Sequence, residues 1–205
     1  MKFSIVSGAP NTDNKFIQNN IDKNSYIIAA DSGYKKLDFI PNLIIGDFDS
    51  SDLPDYNCEI IKLNPIKDES DTFSCVREAV KRGATEIEIF GAIGNRIDHT
   101  LANIHSLTYC LKNNVKARVI DDKNLIYICD EKTIIKKDCG YKYFSVYALY
   151  NDIESLTIKG AKYPLNNYYL ELYAQLTVSN EVADNCNFAE VSVKNGKLLI
   201  ILSND

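Results

Sequence analysis

The segment "IIGDFDSSD" (44–52) sets Asp47 and Asp49 directly behind two β-branched residues and a glycine. On an extended backbone, residues two apart share a face, so both carboxylates point one way while Phe48 points into packing. Paired carboxylates at a strand's end are the hard oxygen ligands that Mg²⁺ takes while it keeps waters for a polyphosphate. Asp, Ser and Gly are also ordinary turn residues, so this segment alone leaves both readings open.

Three further stretches carry acids in comparable places. Asp31, in "AADSGY", follows the apolar run 26–30, and in open α/β sheets ligands bind beyond the carboxyl ends of strands. The stretch "IKDESDTF" places Lys67, Asp68 and Asp71 just before or inside the first turn of a helix. Helix capping accounts for the acids there but not for the lysine. In "GAIGNRIDH", Gly91 and Gly94 let the backbone approach a ligand, and the helix that follows offers unpaired N–H groups to an anion. Arg96 adds a fork for phosphate oxygens and Asp98 another carboxylate. His99 and His105, the only histidines, read as a polar first-turn residue and a helix-face residue. A P-loop motif and a GxSxG elbow are both missing. Four acidic motifs on one sheet edge repel each other unless cations occupy the cluster, which points to Mg²⁺ bound with a phosphorylated ligand.

The elements that must position these residues show in the periodicity. Apolar runs at 3–6, 26–30, 43–45, 59–63, 87–90 and 117–120 alternate with amphipathic stretches, the rhythm of a mostly parallel sheet covered by helices. One predicted helix, 70–82, gathers Phe73, Val76, Ala79 and Val80 on one face and stops at Gly83. A second, 97–112, gathers Ile97, Leu101, Ile104 and Leu111. Beyond residue 130 the helical period is lost, and strands are expected at 132–136, 143–148, 155–159, 175–179, 188–193 and 197–202. Asn195-Gly196 signals a hairpin between the last two. The expected architecture is an N-terminal, mostly parallel, three-layer α/β catalytic domain (1–130) followed by a C-terminal all-β sandwich (131–205).

Composition narrows the function classes. With 45% hydrophobic and 25% charged residues the chain has material for a core, and a net charge of -5 argues against a nucleic-acid surface. Six dispersed cysteines without a CxxC pair suggest reduced thiols, not a disulfide framework or zinc site. The N-terminus holds no signal-peptide core and no later stretch reaches membrane length, so a cytoplasmic protein without membrane contact is expected.

In order along the chain, "AADSGYKKL", "IIGDFDSSD", "KDESDTF", "GAIGNRIDHTLANI", "IKGAKYPL" and "TVSNE" resemble the thiamine pyrophosphokinase family over nearly the whole length. The resemblance implies transfer of the pyrophosphoryl group of ATP to thiamine, giving thiamine diphosphate and AMP. It further implies a homodimer, with thiamine held between one subunit's catalytic domain and the partner's β domain. By the same resemblance Asp31, Asp47, Asp49, Asp71 and Asp98 surround Mg²⁺ and the triphosphate. Gly91, Gly94 and Arg96, with Asp98 and His99 beside them, form the nucleotide-side loop. Lys67 and Asp71 face the transferred group and thiamine, and Ser179 and Asn180 line the thiamine pocket. Asp71 is either a metal ligand or the base that takes the hydroxyl proton. Ser32 and Asn95 stand where the family often has glycine, and the chain has no tryptophan. A tyrosine such as Tyr163 is the stand-in for the Trp that stacks on thiamine in some relatives. The competing readings are a Mg²⁺-dependent phosphohydrolase, a nucleotide-binding regulatory module, and an α/β-plus-β protein whose acids merely cap helices and fill turns.

Overall fold

A computed structural model describes residues 1–10, 12–48, 55–66 and 68–205, so Asp49 and Lys67 lie outside the described residues. The chain divides into two compact units, Met1–Asp122 and Lys123–Asp205.

The first unit runs β1 (Lys2–Val6), α1 (Asn14–Asn20), β2 (Tyr26–Ala30), a 3₁₀ helix (Asp31–Lys36), β3 (Leu43–Gly46), β4 (Glu59–Lys62), α2 (Asp71–Lys81), β5 (Glu86–Phe90), α3 (Ile97–Lys112) and β6 (Lys116–Ile120). Its strands lie in the order β4-β3-β2-β1-β5-β6, every neighbouring pair parallel. Parallel strands are buried on both faces and read as continuous apolar runs. Phe3, Ile5, Ile28, Ile44, Ile87 and Ile89 are fully buried accordingly. On one face Ile17 and Ile21 pack with Val6, Ile27 and Phe90, while α2 contacts β1, β2, β3 and α3. The chain walks outward from β1 to β4, then returns to the other side of β1 to lay down β5 and β6. The loops after β1 and β5 therefore flank a topological switch point, the usual crevice for a ligand.

Helix α2 matches its expected span. Ser70 is the N-cap and accepts from the Phe73 N–H at 3.2 Å, Cys75, Val76 and Ala79 are buried, and Gly83 ends the turn with φ +84°. Helix α3 has the expected limits but turns a different face inward. Asn103, Ser106, Leu107 and Cys110 are buried, while Ile97 and Leu101 are 67% and 51% exposed. The small polar residues are buried because they satisfy backbone carbonyls, Asn103 that of Ala92 at 2.8 Å and Ser106 that of Asn103 at 2.5 Å.

The second unit is antiparallel throughout: β7 (Asn124–Cys129), β8 (Lys132–Lys136), β9 (Tyr143–Ala148), β10 (Ile153–Lys159), β11 (Leu165–Leu170), β12 (Phe188–Lys194) and β13 (Leu198–Ser203). Strands β7-β13-β9 and β11-β10-β12-β8 pair in two groups, and one buried cluster draws Phe144, Val146 and Ile200 from the first and Leu156, Ile158 and Val191 from the second. The division at 122/123 places β7 here, since it pairs along its length with β13.

Two strand expectations are corrected. Residues 175–179 form turns: Leu176 and Val178 are 52% and 39% exposed, and Thr177 gives its hydroxyl to the Val146 carbonyl. The strand lies earlier, at β11, where the asparagines of "LNNYYL" and a left-handed Asn167 (φ +49°) mask the pattern. Asn195-Gly196 does turn the chain, with Asn195 at φ +57°, yet it makes no hairpin. Strand β12 pairs with β10 and β8 while β13 pairs with β7 and β9, so the turn passes the chain from one group to the other. A Cβ on Gly196 would stand 2.3 Å from Ile153 Cδ1, so the end of that side chain would have to shift to admit one.

All six cysteines are free thiols; Cys75 and Cys110 are buried, and burial pushes the Cys110 pKa up to about 12. Among the described residues no helix is long and apolar enough to cross a membrane.

Candidate active site

Strand register sets the site. Ala30 pairs with Ile45, so Asp31 emerges beside Gly46, and Val6 pairs with Phe90, so Ser7 emerges beside Gly91. These neighbours touch closely. A Cβ on Gly46 would lie 2.9 Å from Asp31 Cα, and one on Gly91 (φ +61°) 2.5 Å from the Ser7 carbonyl oxygen. Only glycine admits such approaches, so the loops after β1, β2, β3 and β5 close into one edge.

Asp31 opens the 3₁₀ helix at φ +45°, a backbone state uncommon outside glycine. Its Oδ1 is buried and has no hydrogen-bond partner among the described residues. A carboxylate oxygen stripped of water without a donor is costly, and a cation would relieve it. Asp47 is half-buried just after β3. The chain is not extended beyond it, because Phe48 takes φ +55° and packs against Ala29, Tyr34 and Ile44. The expected alternation therefore places Phe48 in packing but stops there, and Asp49 falls outside the described residues. Asp71 is the first residue of α2, half-buried, and its neighbour Thr72 shares a buried 2.9 Å hydrogen bond with Ser7 Oγ.

The loop after β5 is tied to the loop after β1 and to the first turn of α3. The Ser7 and Ala9 N–H groups donate to the Phe90 and Gly91 carbonyls at 2.8 and 3.0 Å, and the Gly94 N–H donates to Thr100 Oγ1 at 3.2 Å. Arg96 stands at the N-cap of α3 without a side-chain cap, and its Nη2 meets Asp98 Oδ2 at 2.7 Å. Both side chains are about two-thirds exposed (70% and 66%). The Arg96 guanidinium, helped by the His99 N–H at 2.9 Å, holds the Asp98 pKa down to about 2. The His99 side chain is exposed in the same turn.

In the second unit Ser179 is exposed at φ +55°, and its N–H donates to Ser145 Oγ at 3.0 Å. Asn180 is buried, and its side chain is committed internally. Oδ1 accepts from the Tyr163 and Glu181 N–H groups at 3.1 and 2.9 Å, and Nδ2 donates to the Tyr163 carbonyl at 2.8 Å. Asn180 thus clamps the backbone of Tyr163, whose ring is exposed with the Lys162 ammonium 5.9 Å from its centre.

Among the described residues no three acidic, thiol or imidazole groups form a ready metal cluster. Asp31, Asp47 and Asp71 are held in the described edge loops, and Asp98 is engaged by Arg96. The sequence reading missed Ser7, Thr72, Asn103 and Thr100, which lock the loops together. The available signal was "SGAP" (7–10) directly behind the first strand, a glycine-proline loop in a sheet that reverses direction there.

Residues 17–119 match the family model for the thiamin pyrophosphokinase catalytic domain, and residues 131–198 match that for its vitamin B1 binding domain. The chain belongs to the thiamin pyrophosphokinase family. Thiamine pyrophosphokinase of Bacillus subtilis (strain 168) is 33% identical over 98% of each chain. The crystal structure of thiamine pyrophosphokinase from Bacillus subtilis superposes with TM-score 0.90 at 31% identity over the full length of both chains. That of the Geobacillus thermodenitrificans enzyme gives 0.85 at 25% identity, over 100% of this chain and 98% of that one. The protein is therefore an enzyme, a thiamine diphosphokinase that moves the pyrophosphoryl group of ATP onto thiamine and releases AMP.

Proposed function

We propose that this transfer runs at the carboxyl edge of the parallel sheet, in the crevice between the loops after β1 and β5. The observation that carries the reading is the close approach of Gly46 to Asp31, whose buried Oδ1 lacks a donor among the described residues, on the same sheet edge where Gly91 meets Ser7. Carboxylate oxygens suit Mg²⁺, and Asp47, Asp49, Asp71 and Asp98, with Asp31 beside them, are the residues that would hold it. The bound ion supplies charge neutralisation across the polyphosphate. Gly91, Gly94, Arg96 and His99 receive the nucleotide phosphates, with Arg96 exchanging Asp98 for a phosphate oxygen as ATP enters. The hydroxyethyl oxygen of thiamine attacks the β-phosphorus in line and AMP leaves, so the chain's task is positioning and charge balance. Asp71, on a fixed helix start, either accepts the hydroxyl proton or binds the metal, and Lys67 faces the transferred group.

The N-terminal region acts as a three-layer catalytic domain and the C-terminal region as a β-sandwich that binds thiamine. The family match divided between residues 17–119 and 131–198 supports that division of labour. Ser179 and the Tyr163 ring that Asn180 presents line the thiamine side, Tyr163 taking the stacking role. The working form is a homodimer with thiamine sites at the subunit interface. Exposed Tyr168, Tyr169, Leu172 and Tyr173 on the second unit favour a partner surface. Free thiols at all six cysteines favour a reducing compartment, the cytoplasm.

A chromatographic assay with ATP, Mg²⁺ and thiamine, each omitted in turn, tests the reading. AMP and thiamine diphosphate in equal amounts, dependent on all three, are expected. ADP or free phosphate instead would overturn it.

A further inference from the structure

Lys36 ends the 3₁₀ helix that follows β2, and its carbonyl accepts from Gln18 Nε2 at 3.1 Å, which ties its backbone to α1. From there its side chain reaches the loop after β5, with Cδ 3.5 Å from the place where a Gly91 Cβ would stand. The lysine therefore spans from the segment after β2 to the start of the glycine loop at the carboxyl edge of the sheet. It is half-buried, and no acid among the described residues forms an ion pair with it. Burial alone acts on its ammonium and pushes the pKa down. Other lysines of the chain are answered by acids: Lys2 by Glu88 at 3.0 Å, Lys162 by Glu181 at 3.0 Å and Lys197 by Asp130 at 3.3 Å. Its neighbour Lys35 is exposed and lies over the Tyr34 ring at 5.7 Å.

A half-buried cation with no counter-charge is unfavourable in the empty protein and becomes favourable when an anion arrives. The glycine backbone at its side is where a phosphate approaches. We infer that Lys36 is a substrate-binding residue that contacts the polyphosphate of ATP beside Gly91, as a point charge opposite the Arg96 fork. The inference rests on the proposed placement of ATP along the loop after β5.

The test compares Lys36→Met, which keeps the apolar stem and removes the charge, with Lys36→Arg and Lys35→Met. Steady-state kinetics give KM for ATP and for thiamine, and titration calorimetry gives the affinity for tripolyphosphate with Mg²⁺. Losing one charge-assisted contact should raise KM for ATP and weaken tripolyphosphate about tenfold or more. The KM for thiamine should stay within about twofold, since the lost contact is on the nucleotide side. Lys36→Arg should recover most of the affinity, and Lys35→Met should change neither constant. Lys36→Met should melt no lower than the wild type, because it breaks no ion pair among the described residues. Should Lys36→Met misfold, Lys36→Gln carries the same kinetic test. A charge-removing variant whose KM for ATP and tripolyphosphate affinity stay within twofold of wild type overturns the role of Lys36. A wild-type protein that makes no thiamine diphosphate overturns the proposed function instead.

Discussion

Helices α2 and α3 both leave the carboxyl edge of the sheet with an aspartate in the first turn, but they hold it in opposite ways. Asp71 is half-buried behind a capped start, and the next residue, Thr72, is pinned to Ser7 of the β1 loop. Asp98 is two-thirds exposed behind an uncapped start and is engaged by Arg96. In the proposed site the first acid sits on a helix start fixed by the Ser70 cap and the Ser7–Thr72 contact, while the second would exchange its arginine for the incoming ligand. A site that fixes one carboxylate and leaves another on an exchangeable partner separates positioning from charge compensation.

The sharpest way to break this comparison is Asp71→Asn. An amide replaces a carboxylate neither as ligand nor as base, so turnover should fall by about 10³. Circular dichroism and melting should remain those of wild type, because the Ser70 cap and the Thr72 contact survive. A fully active variant with unchanged Mg²⁺ dependence would contradict the proposed role of Asp71.

Arg96→Ala acts on the other helix and should be milder. Loss of the fork should raise KM for ATP about tenfold or more. It also frees Asp98, whose folded pKa is depressed to about 2 by Arg96. A depressed carboxylate keeps its pairing above its ordinary pKa of 3.8 and loses it as pH falls toward 2. In the variant the Asp98 titration should move upward toward 3.8, read by NMR of the carboxyl carbon. An unmoved titration would mean that the His99 N–H, not Arg96, sets it.

Two buried hydroxyl pairs on β1 and its loop supply an internal control. Ser7–Thr72 (2.9 Å) lies at the acidic edge, and Ser4–Ser25 (2.7 Å) lies further back toward the start of β2. Ser7→Ala should destabilise by about 1–2 kcal/mol, the cost of leaving the buried Thr72 hydroxyl without this partner. Ser4→Ala should cost about 1 kcal/mol or less, since Ser25 Oγ keeps its 2.6 Å bond to the Asp22 carbonyl. Only Ser7→Ala should also lower kcat, by about fivefold to tenfold, since misplacing a reacting group is expensive in rate. Equal kcat in both variants would reduce the Ser7 contact to a packing role.

Legibility in the sequence followed the physics of each region. The parallel strands were readable because burial on both faces leaves continuous β-branched runs, and α2 because cap, apolar stripe and glycine stop agree. The inward face of α3 was not, because Asn103 and Ser106 are buried for the sake of backbone carbonyls that no periodicity reveals. Strand β11 was hidden by its asparagines, and the Asn195-Gly196 turn gave its own shape but not the pairing of the strands it joins. In the site, acids and glycines announced themselves by type and spacing. Ser7 and Thr72, 65 residues apart, meet only because β1 and α2 pack together. Lys36 gains its setting only from the approach of its side chain to Gly91.

The smallest effect is expected from Ser70→Ala, which gives α2 the uncapped start that α3 already has. Losing the 3.2 Å bond to the Phe73 N–H should cost about 1 kcal/mol of stability, visible as a lower melting midpoint. Turnover should fall less than about threefold, because Thr72 still anchors the helix start to Ser7 and the carboxylate of Asp71 stays in place. Combining Ser70→Ala with Ser7→Ala removes both anchors of one helix start, so their effects on kcat should exceed the product of the single effects. Simple multiplication of the two would mean that cap and hydroxyl contact act independently, and that α2 is held rigid by its buried face alone.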